Sequence, residues 1–289
     1  MTISEVSSPA KTLVYYENGV NQMLKHRSFS KQMLDAITGE DINEYVEWRL
    51  SQGLAIGSVN RELQVLRRMF RLAMEWKKVR EPLARVKLLP GENHRDRVVS
   101  REEEATYLMA APFLLRDVAT ILMDCGLRPE ECFRLRWENV RDGAIHITFG
   151  KTKASRRRIP TTDRVTAMLE RRRLELDFEW VFPAPTRSGH IESSSLKKQQ
   201  SRAFRVTEIE PFVLYSLRHT CLTRWAPHMD PYTLGYLAGH CDMNITRRYV
   251  HPNDETVHAA FERAKSTGSP PKSPPSPRLE DAAFAEGRL

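Results

Sequence analysis

Three stretches of the sequence place arginine, histidine and tyrosine where a turn meets a helix. They are CGLRPEECFRLRW (125–137), YSLRHTCLTRW (215–225) and LAGHCDMNITRRYVH (237–251). A guanidinium group can hold two phosphate oxygens at once, and it keeps its charge at every working pH. Taken singly, each side chain also has a structural interpretation: Arg128 as a surface residue, Arg218 in an ion pair, and His240 and Tyr249 packed in a core.

The segment between the first two stretches is strongly basic. Residues 151–173 carry nine basic side chains against Asp163 and Glu170, a local net charge of +7. The nine are Lys151, Lys153, Arg156, Arg157, Arg158, Arg164, Arg171, Arg172 and Arg173. Such a field favours contact with phosphate groups. A solvated helix face followed by a basic loop is the alternative.

The whole chain shares this bias. Among its 289 residues, 45 are Lys or Arg and 37 are Asp or Glu, a formal net charge of +8. This composition favours a polyanionic partner. The motifs GxGxxG, GxxxxGK[ST], HExxH and GxSxG do not occur, so the sequence does not indicate the nucleotide-binding and hydrolase chemistries that depend on them.

Location and metal content are predicted from further absences. The sequence shows no secretory signal and no run of ~20 apolar residues. Four cysteines without a CxxC pair indicate reduced thiols in a cytoplasmic protein. His219, Cys221, His240 and Cys241 come nearest to a metal cluster, but their spacing is wrong for a zinc finger. We therefore predict no metal and no cofactor.

These residues need a scaffold, and the apolar pattern predicts two domains. After a loose tail over residues 1–10, residues 11–88 form a helical domain, in which Asp41 is a candidate N-cap. A helix from Ser58 carries an apolar stripe: Val59, Leu63, Leu66, Phe70, Ala73 and Met74. Its arginines, Arg61, Arg67, Arg68 and Arg71, form either a solvated face or one that faces nucleic acid. Residues 89–97 read as a linker.

The second domain, residues 98–265, mixes helix and strand. Ser100 and Glu103 fit a capping box, and residues 144–149 and 157–159 are expected to pair as a short antiparallel hairpin. The remaining predicted elements are helices over 113–125, from Pro129, from Thr162 to Leu176, and over 193–206, 216–226, 231–238 and 254–264. Residues 266–289, which begin STGSPPKSPPSP, are predicted to be disordered.

Together the motifs resemble the tyrosine recombinases, also called phage integrases. That family's order of Arg, Lys, His-x-x-Arg, His and Tyr corresponds here to GLRPEE at Arg128, GKTKASRRRIP at Lys151, YSLRHT at Arg218, LAGHC at His240 and ITRRYVH at Tyr249. AITGEDINEYVEWRL and SVNRELQVLRRMFRLA resemble its helical core-binding domain. The resemblance covers residues 11–265. It implies a mainly α fold with a small antiparallel β-sheet, in which a helical core DNA-binding domain precedes an α+β catalytic domain.

The resemblance also implies a reaction. A site-specific recombinase cleaves and rejoins DNA through a 3′-phosphotyrosine intermediate, here for integration or excision of a mobile element. Tyr249 would be the nucleophile, Arg128 and Arg218 would hold the phosphate oxygens, and His240 would hydrogen-bond a non-bridging oxygen. Lys151 would protonate the leaving 5′ oxygen, with Lys153 as the runner-up. Because the covalent intermediate keeps the bond energy, neither ATP nor a metal ion is required.

Supporting and binding roles follow from the same resemblance. Glu131 would orient its neighbours, and His219 would support Arg218. The expected DNA-binding residues are Lys153, Arg156, Arg157, Arg158, Arg61 and Arg68. The two domains would clamp duplex DNA, and four copies would act on two DNA sites while exchanging residues 254–264.

One position departs from the family pattern. Tyr215 stands where the first histidine of His-x-x-Arg is usual, and a phenol, which ordinarily titrates near ~10, is a weak general base at neutral pH. A DNA-binding relative that has lost the chemistry is therefore one alternative. A type IB topoisomerase-like enzyme that relaxes DNA without a specific site is another.

Overall fold

The computed structural model describes residues 10–79, 83–92, 97–149, 156–175, 178–250 and 254–267. Residues 1–9 of the predicted loose tail, residues 268–289 of the predicted disordered tail, and both Lys151 and Lys153 lie outside these residues. The remaining ends of both tails were predicted wrongly, because residue 10 begins one helix and residues 266–267 end another. The chain divides into two compact units, Met1–Arg95 and Asp96–Leu289.

All regular elements that the structure describes in the N-terminal unit are helices. Its described helices are α1 (Ala10–Met23), α2 (Arg27–Ser30), α3 (Gly39–Ser51) and α4 (Ile56–Glu75). The predicted stripe of α4 supplies much of the core, because Val59, Leu63, Leu66 and Phe70 are all buried. Met74 was wrongly included in that stripe. It lies in the last turn of α4, where its side chain is half exposed.

The start of α3 differs from the prediction. Thr38, rather than Asp41, is the N-cap, and its Oγ1 accepts a hydrogen bond from the Asp41 backbone N–H at 3.2 Å. The Asp41 carboxylate in turn accepts the Thr38 backbone N–H at 2.8 Å. Asp41 is therefore the third residue of the helix, and it completes a capping box with the N-cap Thr38.

A buried ion pair joins α3 to α4. Arg49 Nη2 donates to Glu62 Oε1 at 2.6 Å, and Arg49 Nε donates to Glu62 Oε2 at 2.9 Å. The Tyr45 hydroxyl also donates to Glu62 Oε2, at 2.7 Å. Removal of either charge would leave the other buried and unpaired, which is strongly destabilising.

The C-terminal unit combines helices with one small sheet. Its described helices are α5 (Arg101–Ala110), α6 (Phe113–Cys125), α7 (Pro129–Phe133), α8 (Asp163–Glu175), α9 (Ser193–Thr207), α10 (Leu214–Trp225), α11 (Pro231–Ala238), α12 (Met243–Thr246) and α13 (Asp254–Thr267). The capping box at Ser100 and Glu103 is present. Helices α6 and α10 pack along each other in the core.

The sheet has three antiparallel strands in the order β1 (Val140–Arg141), β2 (Ala144–Ile147) and β3 (Arg157–Pro160). The predicted hairpin pairs β2 with β3, with Ile145 opposite Ile159. The short strand β1 was not predicted. In β3 the side chains alternate, so Arg157 and Ile159 are buried whereas Arg158 is exposed.

The observed architecture confirms the predicted fold class, mainly α with a small antiparallel sheet. None of the helices in the described ranges combines the length and apolar character that a bilayer-spanning segment needs. Helix α13 leaves Val257 and Phe261 exposed, four residues apart on one face.

Candidate active site

The turn between α6 and α7 presents Arg128. Helix α6 ends at Gly126, and Arg128 is the residue that precedes α7, whose first residue is Pro129. Glu131, one turn into α7, accepts the Arg128 backbone N–H at 2.8 Å and Arg128 Nη1 at 2.9 Å. The arginine is therefore held at both its backbone and its side chain by the helix that it starts.

The C-terminus of α11 gathers three arginines. Three successive carbonyls each accept a different guanidinium: Leu237 O from Arg157 Nε at 2.7 Å, Ala238 O from Arg218 Nη2 at 2.6 Å, and Gly239 O from Arg128 Nη2 at 2.8 Å. The last carbonyls of a helix lack partners within it and carry partial negative charge, so cations are stabilised there. This helix end therefore aligns side chains from β3, α10 and α7.

Glu131 is the carboxylate of the cluster. Besides its bonds to Arg128, it accepts Arg157 Nη1 at 3.0 Å and Arg157 Nη2 at 2.8 Å. Burial by itself would raise the pKa of the Glu131 carboxyl. The hydrogen bonds and charge of Arg157, together with those of Arg128, outweigh burial and lower this pKa to about 2. Glu131 is therefore ionised at neutral pH.

Arg218 lies at the bottom of the cluster and is fully buried. In addition to Ala238 O, it donates through Nη1 to Gly126 O at 2.7 Å. Its buried Nε has no hydrogen-bond partner among the described residues. Burial, followed by repulsion from Arg128, lowers the pKa of Arg218 to about 10. The guanidinium is still charged at neutral pH. A bound anion would offset both its burial and its repulsion from Arg128.

His240 follows Gly239 and bridges two parts of the site. Its Nδ1 lies 2.9 Å from Thr246 Oγ1, and its Nε2 lies 3.3 Å from Arg218 Nη2. Because arginine only donates, Nε2 accepts in this arrangement and Nδ1 carries the proton. Burial, then the charges of Arg218 and Arg128, lowers the pKa of His240 to about 4. The imidazole is therefore neutral at pH 7.

Tyr249 lies beside the two histidines. Its ring stacks on His240 with centroids 6.0 Å apart, and its centroid is 5.1 Å from that of His219. The ring is buried, and it belongs to an apolar cluster with Leu222 and Leu234. A backbone hydrogen bond from Tyr249 N–H to Thr246 O, at 3.0 Å, links it to the residue that holds His240.

Tyr215 occupies the first turn of α10, one turn before Arg218. Its side chain is 45% exposed, whereas that of Arg218 is fully buried. The two lie close enough for Tyr215 to affect the ionisation of Arg218. An exposed phenol therefore lies near the buried arginine.

The basic segment 151–173 is less exposed than its composition suggested. Arg157 must be removed from the expected DNA contacts, because its side chain is buried and bonded to Glu131 and Leu237. Three others pair with acidic residues from distant helices: Arg164 with Asp124 and Glu104, and Arg171 and Arg172 with Asp117. The predicted local net charge of +7 included only the acidic residues within 151–173, so it left out these distant carboxylates.

The other expected DNA-binding residues are distributed over both units. Arg156, which precedes β3, and Arg158, which lies in it, are both exposed. In the N-terminal unit Arg61 is exposed, with an ion pair to Glu92 at 3.6 Å, and Arg68 is partly exposed on the same helix. Lys151 and Lys153 lie outside the described residues.

Sequence reasoning missed several candidate functional residues. Helix α9 carries four exposed basic residues and no acidic one: Lys197, Lys198, Arg202 and Arg205. The sequence shows this composition, so it could have been found. Arg157 could also have been placed, because alternation with Ile159 puts it on the inward face of β3. Only the tertiary structure shows that Thr246 holds His240.

Comparison with known proteins supplies the family. The Phage integrase family model matches residues 96–256, and the phage integrase N-terminal SAM-like domain model matches residues 3–77. The tyrosine recombinase XerD of Pseudomonas aeruginosa is 27% identical over 258 residues, which cover 82% of this chain and 85% of that protein.

Two solved structures share the fold. The Tn1549 transposon integrase in complex with a circular intermediate DNA has a TM-score of 0.76 at 17% identity, with 90% of this chain and 96% of that chain covered. A lambda integrase tetramer bound to a Holliday junction has a TM-score of 0.70 at 18% identity, with 86% and 74% covered. With the family model matching more than half of the sequence, the chain belongs to the phage integrase family, the tyrosine recombinases that cleave and rejoin DNA.

Proposed function

We propose that the chain recombines duplex DNA at specific sites, with Tyr249 as the nucleophile and Arg128 and Arg218 as the phosphate-holding groups. The excess positive charge beside Tyr249 carries this proposal. Arg128 and Arg157 both bond Glu131, whereas Arg218 donates to backbone carbonyls and lies beside the neutral His240. A phosphate diester with its developing negative charge would complete such a cluster.

The proposed reaction has two balanced steps. Tyr249 Oη forms a bond to phosphorus, loses its proton, and displaces the 5′ oxygen, which takes up a proton. The 5′ hydroxyl of another strand then attacks the phosphotyrosine and returns the phenol. We assign the proton on the leaving oxygen to Lys151. Because each displacement conserves one phosphoester, no external energy source is needed.

Arg128 and the buried Arg218 would both donate to the attacked phosphate. Arg128 retains a partly exposed guanidinium, and Arg218 retains an unpartnered Nε–H. Loss of one preorganised donor of this kind costs about 3 kcal/mol of transition-state stabilisation, or ~100-fold in rate. To donate from Nε2 to a non-bridging oxygen, His240 would have to change tautomer: the Thr246 hydroxyl would then donate to Nδ1, and Nε2 would give up the hydrogen bond that it accepts from Arg218.

Binding to duplex DNA would rest on exposed basic surfaces of both units. We assign it to the basic residues of α9, to Arg156 and Arg158, and to Arg61 and Arg68. Each phosphate contact contributes to the salt dependence of affinity, so binding should weaken steeply as salt increases. A DNA substrate and thiols that remain reduced both favour a cytoplasmic location.

We further propose that four copies act on two DNA sites. The lambda integrase relative is a tetramer on a Holliday junction. In this chain the exposed Val257 and Phe261 give α13 an apolar face that can pack on another copy. Sedimentation of the DNA complex should show four copies for the wild type and fewer for Phe261→Ser.

A DNA-binding relative without catalysis is the second candidate, and Tyr215 is the observation that favours it. The exposed phenol can hydrogen-bond a phosphate, but it replaces the imidazole of the family pattern. A covalent adduct on Tyr249 separates the two candidates, because a binding protein forms none.

The test is covalent trapping. Nicked duplexes with randomised cores are incubated with the full chain in EDTA and resolved under denaturing conditions. We expect an adduct with the wild type, none with Tyr249→Phe, and an undiminished adduct with Tyr232→Phe, which removes an exposed tyrosine of α11. Sequencing of the trapped DNA identifies the site.

Two further variants assign the role of Tyr215. Tyr215→His should cleave at least as fast as the wild type, and Tyr215→Phe more slowly if the hydroxyl contributes. An adduct that forms only with Tyr215→His would support the impaired relative. DNA binding with no adduct from any variant would exclude cleavage under these conditions and favour the binding protein.

A further inference from the structure

Strand β3 turns one charged side chain into the protein. Arg157 is buried, while the neighbouring Arg158 is exposed. The Arg157 guanidinium is held on two sides, by Leu237 O at 2.7 Å from Nε and by both Glu131 oxygens at 3.0 and 2.8 Å. Such a buried and multiply bonded side chain cannot reach a DNA phosphate without breaking these contacts.

We propose that Arg157 is a positioning residue of the recombination site, which neutralises Glu131 and thereby leaves Arg128 charged and aimed at the phosphate. This inference rests on the proposed function of Arg128.

The charge balance gives the first reason. Each Glu131 oxygen accepts one hydrogen bond from Arg157 and one from Arg128. With Arg157 present, the carboxylate is matched by Arg157, and the charge of Arg128 remains in excess. Without Arg157, Glu131 and Arg128 would form a closed pair whose charges cancel. The site would then present one positive charge fewer to the phosphate.

The packing gives the second reason. Both guanidinium groups lie against the Cα of Gly239, so a Cβ there would be 2.8 Å from Arg157 Nη1 and 3.2 Å from Arg128 Nη1. Because Leu237 O and Glu131 both bond Arg157, the Arg157 guanidinium is held in a fixed position next to Arg128. Arg128 is in turn bonded to Gly239 O at 2.8 Å. Arg157 thus determines both the net charge of the site around Arg128 and the position of the Arg128 guanidinium.

The chain offers a matched control for a purely structural effect. Arg172 is another buried arginine, which donates from Nη1 to Asp117 at 2.9 Å and from Nε to Val181 O at 3.0 Å. It has the same kinds of partner as Arg157, a carboxylate and a backbone carbonyl, but none of its bonds involves Glu131, Arg128 or α11. Arg172→Gln should therefore destabilise the fold without altering the site.

The experiment compares Arg157→Gln, Arg157→Lys and Arg172→Gln with the wild type, using nicked duplexes selected by the wild type and a temperature at which all four proteins are folded. DNA affinity is measured across a salt series, and the rate of adduct formation is measured at saturating DNA. We expect Arg157→Gln to bind within twofold of the wild type, with the same salt slope, and to cleave at least tenfold more slowly.

The conservative variant should recover part of the rate, because Arg157→Lys keeps the charge but loses the forked geometry. Arg172→Gln should cleave within twofold of the wild type. Three results would each overturn the proposal: wild-type cleavage by Arg157→Gln, a reduced affinity and salt slope that mark a DNA contact, or an equal loss of rate in Arg172→Gln.

A readout without DNA keeps this proposal separate from the proposed function. If the wild type forms no adduct, the ring signals of His240 are titrated by NMR. Arg157 is among the charges that lower the pKa of His240, so Arg157→Gln should raise that pKa while Arg172→Gln leaves it unchanged. An identical His240 titration in both variants would show that Arg157 does not act on the site.

Discussion

His240 should titrate far below the usual range of histidine. Its imidazole is partly buried and faces Arg218, with Arg128 and Arg157 also near, and its pKa is lowered from 6.5 to about 4. Between these two pH values the unfolded chain binds a proton at His240 that the folded chain does not. The stabilisation is complete above pH 6.5, and it is lost as the pH falls towards 4.

The size of the effect follows from the shift. Because the imidazole is partly exposed and water screens its charge, we expect less than the roughly 3 kcal/mol that the full shift would give, and a loss of about 1 kcal/mol by pH 5. Substitution by His240→Asn removes this titration but retains polar atoms that can bond Thr246. The free energy of unfolding in urea should therefore fall between pH 7 and pH 5 by about 1 kcal/mol more for the wild type than for His240→Asn.

NMR of the histidine rings tests the same reasoning directly, with the His240 signal assigned from His240→Asn. His228→Asn, which removes an exposed histidine, is the control for a general effect of histidine number. Addition of DNA should raise the pKa of His240, because a phosphate brings negative charge to an excess of guanidinium groups. A His240 ring that titrates near 6.5 without DNA would refute this account of the site.

Three further predictions concern other parts of the structure. Gly239→Ala should lower both stability and the rate of cleavage, because residue 239 has φ +64° and a Cβ there would contact two guanidinium groups. The control is Gly143→Ala, which has φ +63° but open space around it and should lose only the backbone cost of about 1–2 kcal/mol. Thermal unfolding and adduct assays measure these two effects. Glu62→Gln should destabilise the N-terminal unit by about 3–5 kcal/mol in urea unfolding, because it leaves Arg49 buried without its carboxylate. Arg71→Gln, which breaks an exposed pair with Glu75, should cost under about 1 kcal/mol. Equal losses in the two variants would contradict the role of burial. Lys197→Gln and Arg202→Gln should each weaken DNA binding and reduce the salt slope by about 0.9. Arg171→Gln should not, because Arg171 already pairs with both Asp117 and Glu175; filter binding across a salt series distinguishes these results.

Local signals in the sequence predicted most elements. The capping box at Ser100, the stripe of α4 and the β2–β3 hairpin all depend on residues a few positions apart, and the structure contains each of them. The error at α3 is of the same local kind, because Thr38 and Asp41 both suit a helix start. The strand β1 has two residues and carries too little pattern to be recognised.

Charge was harder to predict than fold. The sequence showed a dense basic segment at 151–173, but Arg157, Arg164, Arg171 and Arg172 are paired with carboxylates that lie far away in the chain. An electrostatic field depends on distances in space, whereas a count along the sequence includes only neighbours. Helix α9 was a different kind of omission: its four basic residues, with no acidic residue in the helix, are visible in the sequence, but the prediction was placed on the denser segment 151–173.

The sequence by itself determined the family resemblance, the fold class and the identity of the candidate nucleophile and arginines, because motif order and residue type are properties of the chain. The tertiary structure decided how these groups act on one another. Arg157, Arg218 and Arg128 come from three elements, and they meet only because three successive carbonyls end α11 at one place. The lowered pKa values of His240 and Glu131 arise there as well, since burial and proximity of charge exist only once the chain has folded.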